Sequence, residues 1–158
     1  MNAGPDRDNP RDHDWTVRVR STGEQEANVY AGRHLFSVGK QASFTDQEAA
    51  PTAVEYLMGA LGADLVSGFR NQAKKRGVEV DSTECVVKGR LDNPLVFLGV
   101  VGAEGRPGFS SMSVTLFVSA DADEDSLQEV WRDSLAVSPI FDTLKKCVSL
   151  SLELRQIG

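Results

Sequence analysis

Histidine and cysteine are almost missing from this chain: among 158 residues there are only His13, His34, Cys85 and Cys147. Two distant cysteines with no C-x-x-C spacing exclude a disulfide framework. Two histidines cannot build a zinc site without several carboxylates, so neither a metal nor another cofactor is expected. Long apolar runs are missing as well, which excludes a helix that crosses a bilayer. The opening MNAGPDRDNPRDHDW places charges and prolines where a signal peptide would be apolar, so a cytoplasmic protein with no membrane partner is expected. Basic clusters are scarce too. Lys and Arg total 17 against 23 Asp and Glu, and a net charge of −6 argues against a nucleic-acid partner, whose phosphates demand clustered cations.

What is present fits one globular domain, with 41% hydrophobic residues to build a core. Residues 1 to 13 read as a disordered leader, being rich in Asp, Arg, Pro and Asn, and residues 14 to 158 as a single domain. Strict alternation over Trp15 to Arg20 predicts a strand, followed by turn residues Ser21 to Glu24 and by short strands at Glu26–Tyr30 and His34–Val38. Gln41 to Ala50 is polar and aperiodic, hence a loop. Pro51-Thr52 then opens a long helix, with Thr52 as its N-cap. That helix runs to about Arg76, where Gly77 ends it. Its start, Val54 to Ala63, is apolar on most sides and predicts burial; its basic end, Arg70 to Arg76, predicts exposure.

Beyond Gly77, Val78–Leu91 and Phe109–Ala120 alternate as strands on either side of an ambiguous segment, Asn93 to Gly105. Asp123 to Val137 has Leu127, Val130, Trp131 and Leu135 at helical spacing. Ser138-Pro139 starts a short third helix, with Ser138 as N-cap, and Val148 to Ile157 closes the chain as a strand. The expected class is α+β with a mostly antiparallel sheet.

One residue conflicts with its surroundings. Asp64 lies in GALGADLV, the most apolar part of the chain, with no basic residue within five positions on either side. On a helical wheel it falls beside Leu57, Leu61 and Gly68, at the margin of the apolar stripe. A buried carboxylate must be protonated, paired, hydrogen-bonded or wetted. Two readings stand side by side: pairing with an arginine such as Arg33, or lining a pocket for a hydroxyl-bearing or cationic ligand.

Two segments then take on meaning together. Ala50-Pro51-Thr52-Ala53-Val54-Glu55-Tyr56-Leu57-Met58-Gly59-Ala60-Leu61-Gly62-Ala63-Asp64 resembles the central-helix motif of the OsmC/Ohr family, roughly P-x-P-x-E-L-L-L-A-A-L-G-A-C. Ser138-Pro139-Ile140-Phe141-Asp142-Thr143-Leu144 resembles the family's second motif, C-P-V-x-x-T-L. An Arg-Pro-Gly-Phe turn at Arg106 to Phe109, a helix of D/E-x-L-x-x-V/L-W type and a closing strand agree. The resemblance runs from about Trp15 to the end.

It implies an intertwined homodimer, antiparallel sheets wrapped around long central helices, and sites at the subunit interface. It also implies organic hydroperoxide reduction in oxidative-stress defence, a peroxiredoxin-like reaction in which one thiolate attacks the peroxide and a second traps the sulfenic acid. Here the two cysteine positions carry Asp64 and Ser138. Neither a carboxylate nor a serine hydroxyl replaces a thiolate in attack on an O–O bond. The family's arginine-orienting glutamate aligns with Val54, one before Glu55, and the nearest arginine candidate is Arg33. Asp64, Ser138, Arg33 and Glu55 are therefore the candidate ligand-binding residues of a degenerate site without confident catalytic residues. A hydrolytic triad of Asp64, Ser138 and His34 lacks a G-x-S-x-G elbow. The remaining enzymatic reading is a divergent organic hydroperoxide reductase that uses Cys85 or Cys147.

Overall fold

The computed structural model describes residues 14–21, 26–39 and 50–157. The expected leader at 1–13, and most of the expected turn at 21–24 and loop at 41–50, lie outside the described residues. The chain divides into two compact units at Ala53/Val54.

The first unit holds a three-stranded antiparallel sheet of β1 (Val17–Arg20), β2 (Ala27–Ala31) and β3 (His34–Val38). β2 is the middle strand, with Val19 opposite Val29 and Val29 opposite Phe36. Gly32, at φ +59°, supplies the left-handed residue that the tight β2–β3 turn needs. All four residues of β1 are exposed, and among this unit's described residues Val29 alone is buried.

The second unit is α1 (Ala53–Arg76), β4 (Ser82–Leu91), α2 (Pro94–Phe97), β5 (Phe109–Ser119), α3 (Glu124–Ala136), α4 (Pro139–Leu144) and β6 (Ser149–Gln156). Its sheet has the order β4-β5-β6. β4 and β5 pair antiparallel along their whole length, but β5 and β6 run parallel, with Ser111 opposite Ser149 and Val118 opposite Gln156. The sequence reading expected a mostly antiparallel sheet, as consecutive strands lack crossover helices, and three of the four described strand pairs are antiparallel. Between β5 and β6, however, stand both α3 and α4, and they supply the long connection that a parallel neighbour requires.

The core forms on one face of this sheet. β5 turns Met112, Val114, Leu116 and Val118 inward, and α1 contributes Leu61, Leu65, Phe69 and Ala73 at helical spacing. α3 adds Leu127, Val130 and Trp131, and the Trp131 and Phe69 ring centroids stand 6.4 Å apart. Phe69 is fully buried, so Phe69→Ala would lose about 3–5 kcal/mol of stability. Close approach is set by glycines: a Cβ on Gly62 would meet Val87 at 3.3 Å and Cys85 Sγ at 3.6 Å.

Element ends follow local chemistry. Gly77, at φ +72°, donates to the Lys74 carbonyl while the Val78 amide donates to Ala73, a Schellman closure. Val78 is thereby committed to the end of the helix, which is why the expected strand from Val78 starts only at Ser82. Within the ambiguous segment, Asn93 Oδ1 accepts the Leu95 amide at 3.0 Å and Nδ2 donates to the Glu104 carbonyl at 2.7 Å, fastening α2 to the following turn. Asp123 caps α3 by accepting the Ser126 amide at 2.8 Å, and that bond holds its carboxyl below the usual range.

The basic end of α1 is exposed as expected, at Arg70, Lys74, Lys75 and Arg76, but the expected burial of its start is confined to Leu61 and Gly62. No residue before Leu61 is buried, and Leu57 is 40% exposed. Core contacts run instead from Leu61 to Ala73, because β5 and α3 cover only that stretch.

Candidate functional site

Asp64 lies on α1 one turn after Leu61, half-buried at the edge of the core-facing stripe. Ser138 stands at the start of α4 and is buried, 4% exposed. Pro139 at the first helical position and the extended backbone of Ser138 make this a strong N-terminus, and Ser138 Oγ accepts the Phe141 amide at 3.0 Å. The same hydroxyl donates its hydrogen to Asp64 Oδ2. Asp64 Oδ2 also accepts the Ile140 amide at 3.4 Å. Residues 74 positions apart are thus joined at the mouth of α4.

The arrangement answers the burial problem posed by Asp64. One oxygen takes a hydroxyl and a free helix-end amide, both favourable partners for a carboxylate. The other, Oδ1, has no hydrogen-bond partner among the described residues. The Ser138 oxygen is at once donor and acceptor, which holds its proton on Asp64 and its lone pair on the helix end. Such a pair fixes geometry. It offers no sulfur and no oxidation ladder.

The two thiols are placed differently. Cys85 lies within β4, half-buried beside Gly62, and desolvation pushes its thiol pKa up. Cys147 is exposed in the turn between α4 and β6, with its sulfur 3.4 Å from the Leu144 carbonyl. A raised pKa lowers the share of the thiolate that peroxide attack needs. Cys85 also lines a groove of about 380 Å³ with Met58, Gly59, Gly62, Ala63, Val66 and Val87.

Arg33 and His34 belong to the first unit, Arg33 exposed in the β2–β3 turn and His34 exposed at the start of β3. Glu55 is exposed in the first turn of α1, and Val54 precedes it. Asp64 and Ser138 are brought into direct contact. The Ile140 amide was invisible to sequence reasoning because its contribution is backbone. Its signal was the Ser-Pro helix start, which predicts free amides at that end.

A profile of the OsmC-like proteins matches residues 45–153, more than half the chain. The chain belongs to the OsmC-like protein family. Its fold is similar to that of an OsmC-like protein from Mycoplasma pneumoniae, at TM-score 0.77 and 11% identity over 93% of this chain and 99% of that one. An organic hydroperoxide resistance protein OsmC from Legionella pneumophila matches at TM-score 0.62 and 12% identity, over 90% and 97%. The organic hydroperoxide resistance protein OhrB of Bacillus subtilis matches at TM-score 0.60 and 19% identity, over 90% and 98%. No curated protein sequence matches the chain. In this OsmC-like chain no helix among the described residues is long and apolar enough to cross a membrane.

Proposed function

We propose that this chain is an OsmC-like protein that has lost thiol peroxidase activity and acts as a binding or interaction module. The observation that carries the reading is the bond from the Ser138 hydroxyl to Asp64, at the two positions where the family resemblance expects the reacting cysteines. A carboxylate–hydroxyl pair keeps the helix contact that a disulfide would make and removes the chemistry. The ligand is a small molecule with a hydroxyl or cationic group, taken by Asp64 Oδ1, with Ser138 and Glu55 as further contacts. The working form is a cytoplasmic homodimer of one domain per chain, residues 14–158. The exposed apolar start of α1, with Leu57 at 40%, and the adjoining groove of Met58, Gly59 and Gly62 support a second copy as its cover.

The competing enzyme reading, a hydroperoxide reductase built on relocated thiols, draws on the fold relatives named for hydroperoxide resistance and on Cys85 lining that groove. An assay with an organic hydroperoxide and a dithiol reductant separates the two. No turnover above buffer is expected. Turnover that disappears in Cys85→Ser or Cys147→Ser would establish the reductase instead. For the binding reading, Asp64→Asn is expected to change ligand binding or dimer stability while leaving the fold intact. Identical melts and sedimentation for the variant and parent would remove Asp64 from the site.

A further inference from the structure

The outer face of the β4-β5-β6 sheet carries an arrangement that the α1–α4 pair does not use. Register places Arg90 opposite Ser111 and Ser111 opposite Ser149, and in the next row Lys88 opposite Ser113 and Ser113 opposite Ser151. Alternation turns these six side chains away from Met112 and Val114, which point into the core. They surround a shallow depression of about 210 Å³. Same-face neighbours along a strand stand ~6.7 Å apart and adjacent strands ~4.8 Å apart, so two cations and four hydroxyls fill a rectangle of roughly 7 by 10 Å.

Nothing in the described structure satisfies these groups. The ion pairs of the described residues involve Arg76, Arg106, Lys145, Lys146 and Arg155, and neither Lys88 nor Arg90 has a carboxylate partner. The hydroxyls of Ser111, Ser113, Ser149 and Ser151 have no protein hydrogen-bond partner either; the neighbouring Ser110 is the one bonded, to the Arg90 carbonyl at 3.1 Å. Two like charges two residues apart on one strand face repel each other, and an anion between them relieves that repulsion. The next row bounds the site: Val86 and Thr115 bring no charge, and Glu153 is already paired with Arg155 at 2.7 Å, so no further cation faces an anion from that side.

We propose that this face binds a small phosphate-bearing anion of about diphosphate size, with Lys88 and Arg90 neutralising its charge and the four serines donating hydrogen bonds to its oxygens. The proposal is independent of what Asp64 and Ser138 do.

Pyrophosphate titrated into the full chain at low ionic strength, followed by amide shifts in NMR, provides the test. Saturable shifts confined to Lys88–Arg90, Ser111–Ser113 and Ser149–Ser151 are expected. The double variant K88Q/R90Q should weaken binding ~tenfold or more, about what losing a charge-assisted hydrogen bond costs, and S111A/S149A severalfold, about what losing an ordinary one costs. Both substitutions lie on an exposed face, so unchanged melts accompany the expected result. Equal affinity in K88Q/R90Q overturns the site. Weakening in K88Q/R90Q with none in S111A/S149A reduces the face to non-specific charge attraction and overturns it too, as does strongest binding at Arg70 and Lys74.

Discussion

Asp64 and Ser138 are chemically unfit for peroxide reduction yet share a hydrogen bond; Cys85 and Cys147 have suitable atoms yet sit in a half-buried strand and an exposed turn. The contrast teaches that contact and reactivity are set separately in this chain: the α1–α4 contact is held by a carboxylate and a hydroxyl, while both sulfurs lie away from it.

The strongest way to break this comparison is to place thiols at the adjacent pair. In D64C/S138C, one equivalent of organic hydroperoxide is expected to oxidise both thiols to a disulfide, yielding alcohol and water, seen as a mass lower by two hydrogens under non-reducing conditions. Persistent free thiols at both positions would show that the contact is looser than a disulfide tolerates. Next in size, Ser138→Ala removes the α4 cap and the hydroxyl partner of Asp64 together. A loss of about 1–3 kcal/mol in urea unfolding is expected, and no loss would show the bond to be dispensable.

Smaller effects sharpen the other half. Exposed Cys147 should be alkylated by iodoacetamide well before Cys85, whose thiol pKa is raised by burial. Equal rates measured by peptide mass spectrometry would put Cys85 back among the reactive groups. The smallest effect is a pH dependence at α4. Lys145 and Lys146 hold Asp142 down to about 2, below its unfolded value near 3.9. A depressed carboxylate stabilises the fold fully above about pH 4 and loses that contribution as pH falls towards 2, so the acid limb of the stability curve should flatten in Asp142→Asn.

Much of the fold was legible because its punctuation is local. Asp123 before an apolar-periodic run, Ser138-Pro139 and Gly77 each announce a boundary through backbone chemistry, and each is found where expected. Strand partnership is not local: nothing within Ser149–Gln156 says that its neighbour is β5 or that the two run parallel. Nor does an apolar stretch say what covers it, so the exposed start of α1 looked like core. At the site, motif resemblance paired Asp64 with Ser138, but neither the direction of the hydrogen bond nor the Ile140 amide could be read from residue types. The six-residue polar face of the sheet was hidden for the same reason, since Lys88, Ser113 and Ser151 become neighbours only through the register of three strands.

The parallel pairing of β6 also bears on the order of assembly. β4 and β5 meet through a connection of modest length, but β6 reaches β5 only after α3 and α4 have carried the chain back across the unit, a costlier closure. Ser138 rides on that return path. Its bond to Asp64 is therefore expected to form late in folding, as a latch on the finished unit, so that the unfolding rate rises in Ser138→Ala while the folding rate, read from a chevron, stays little changed.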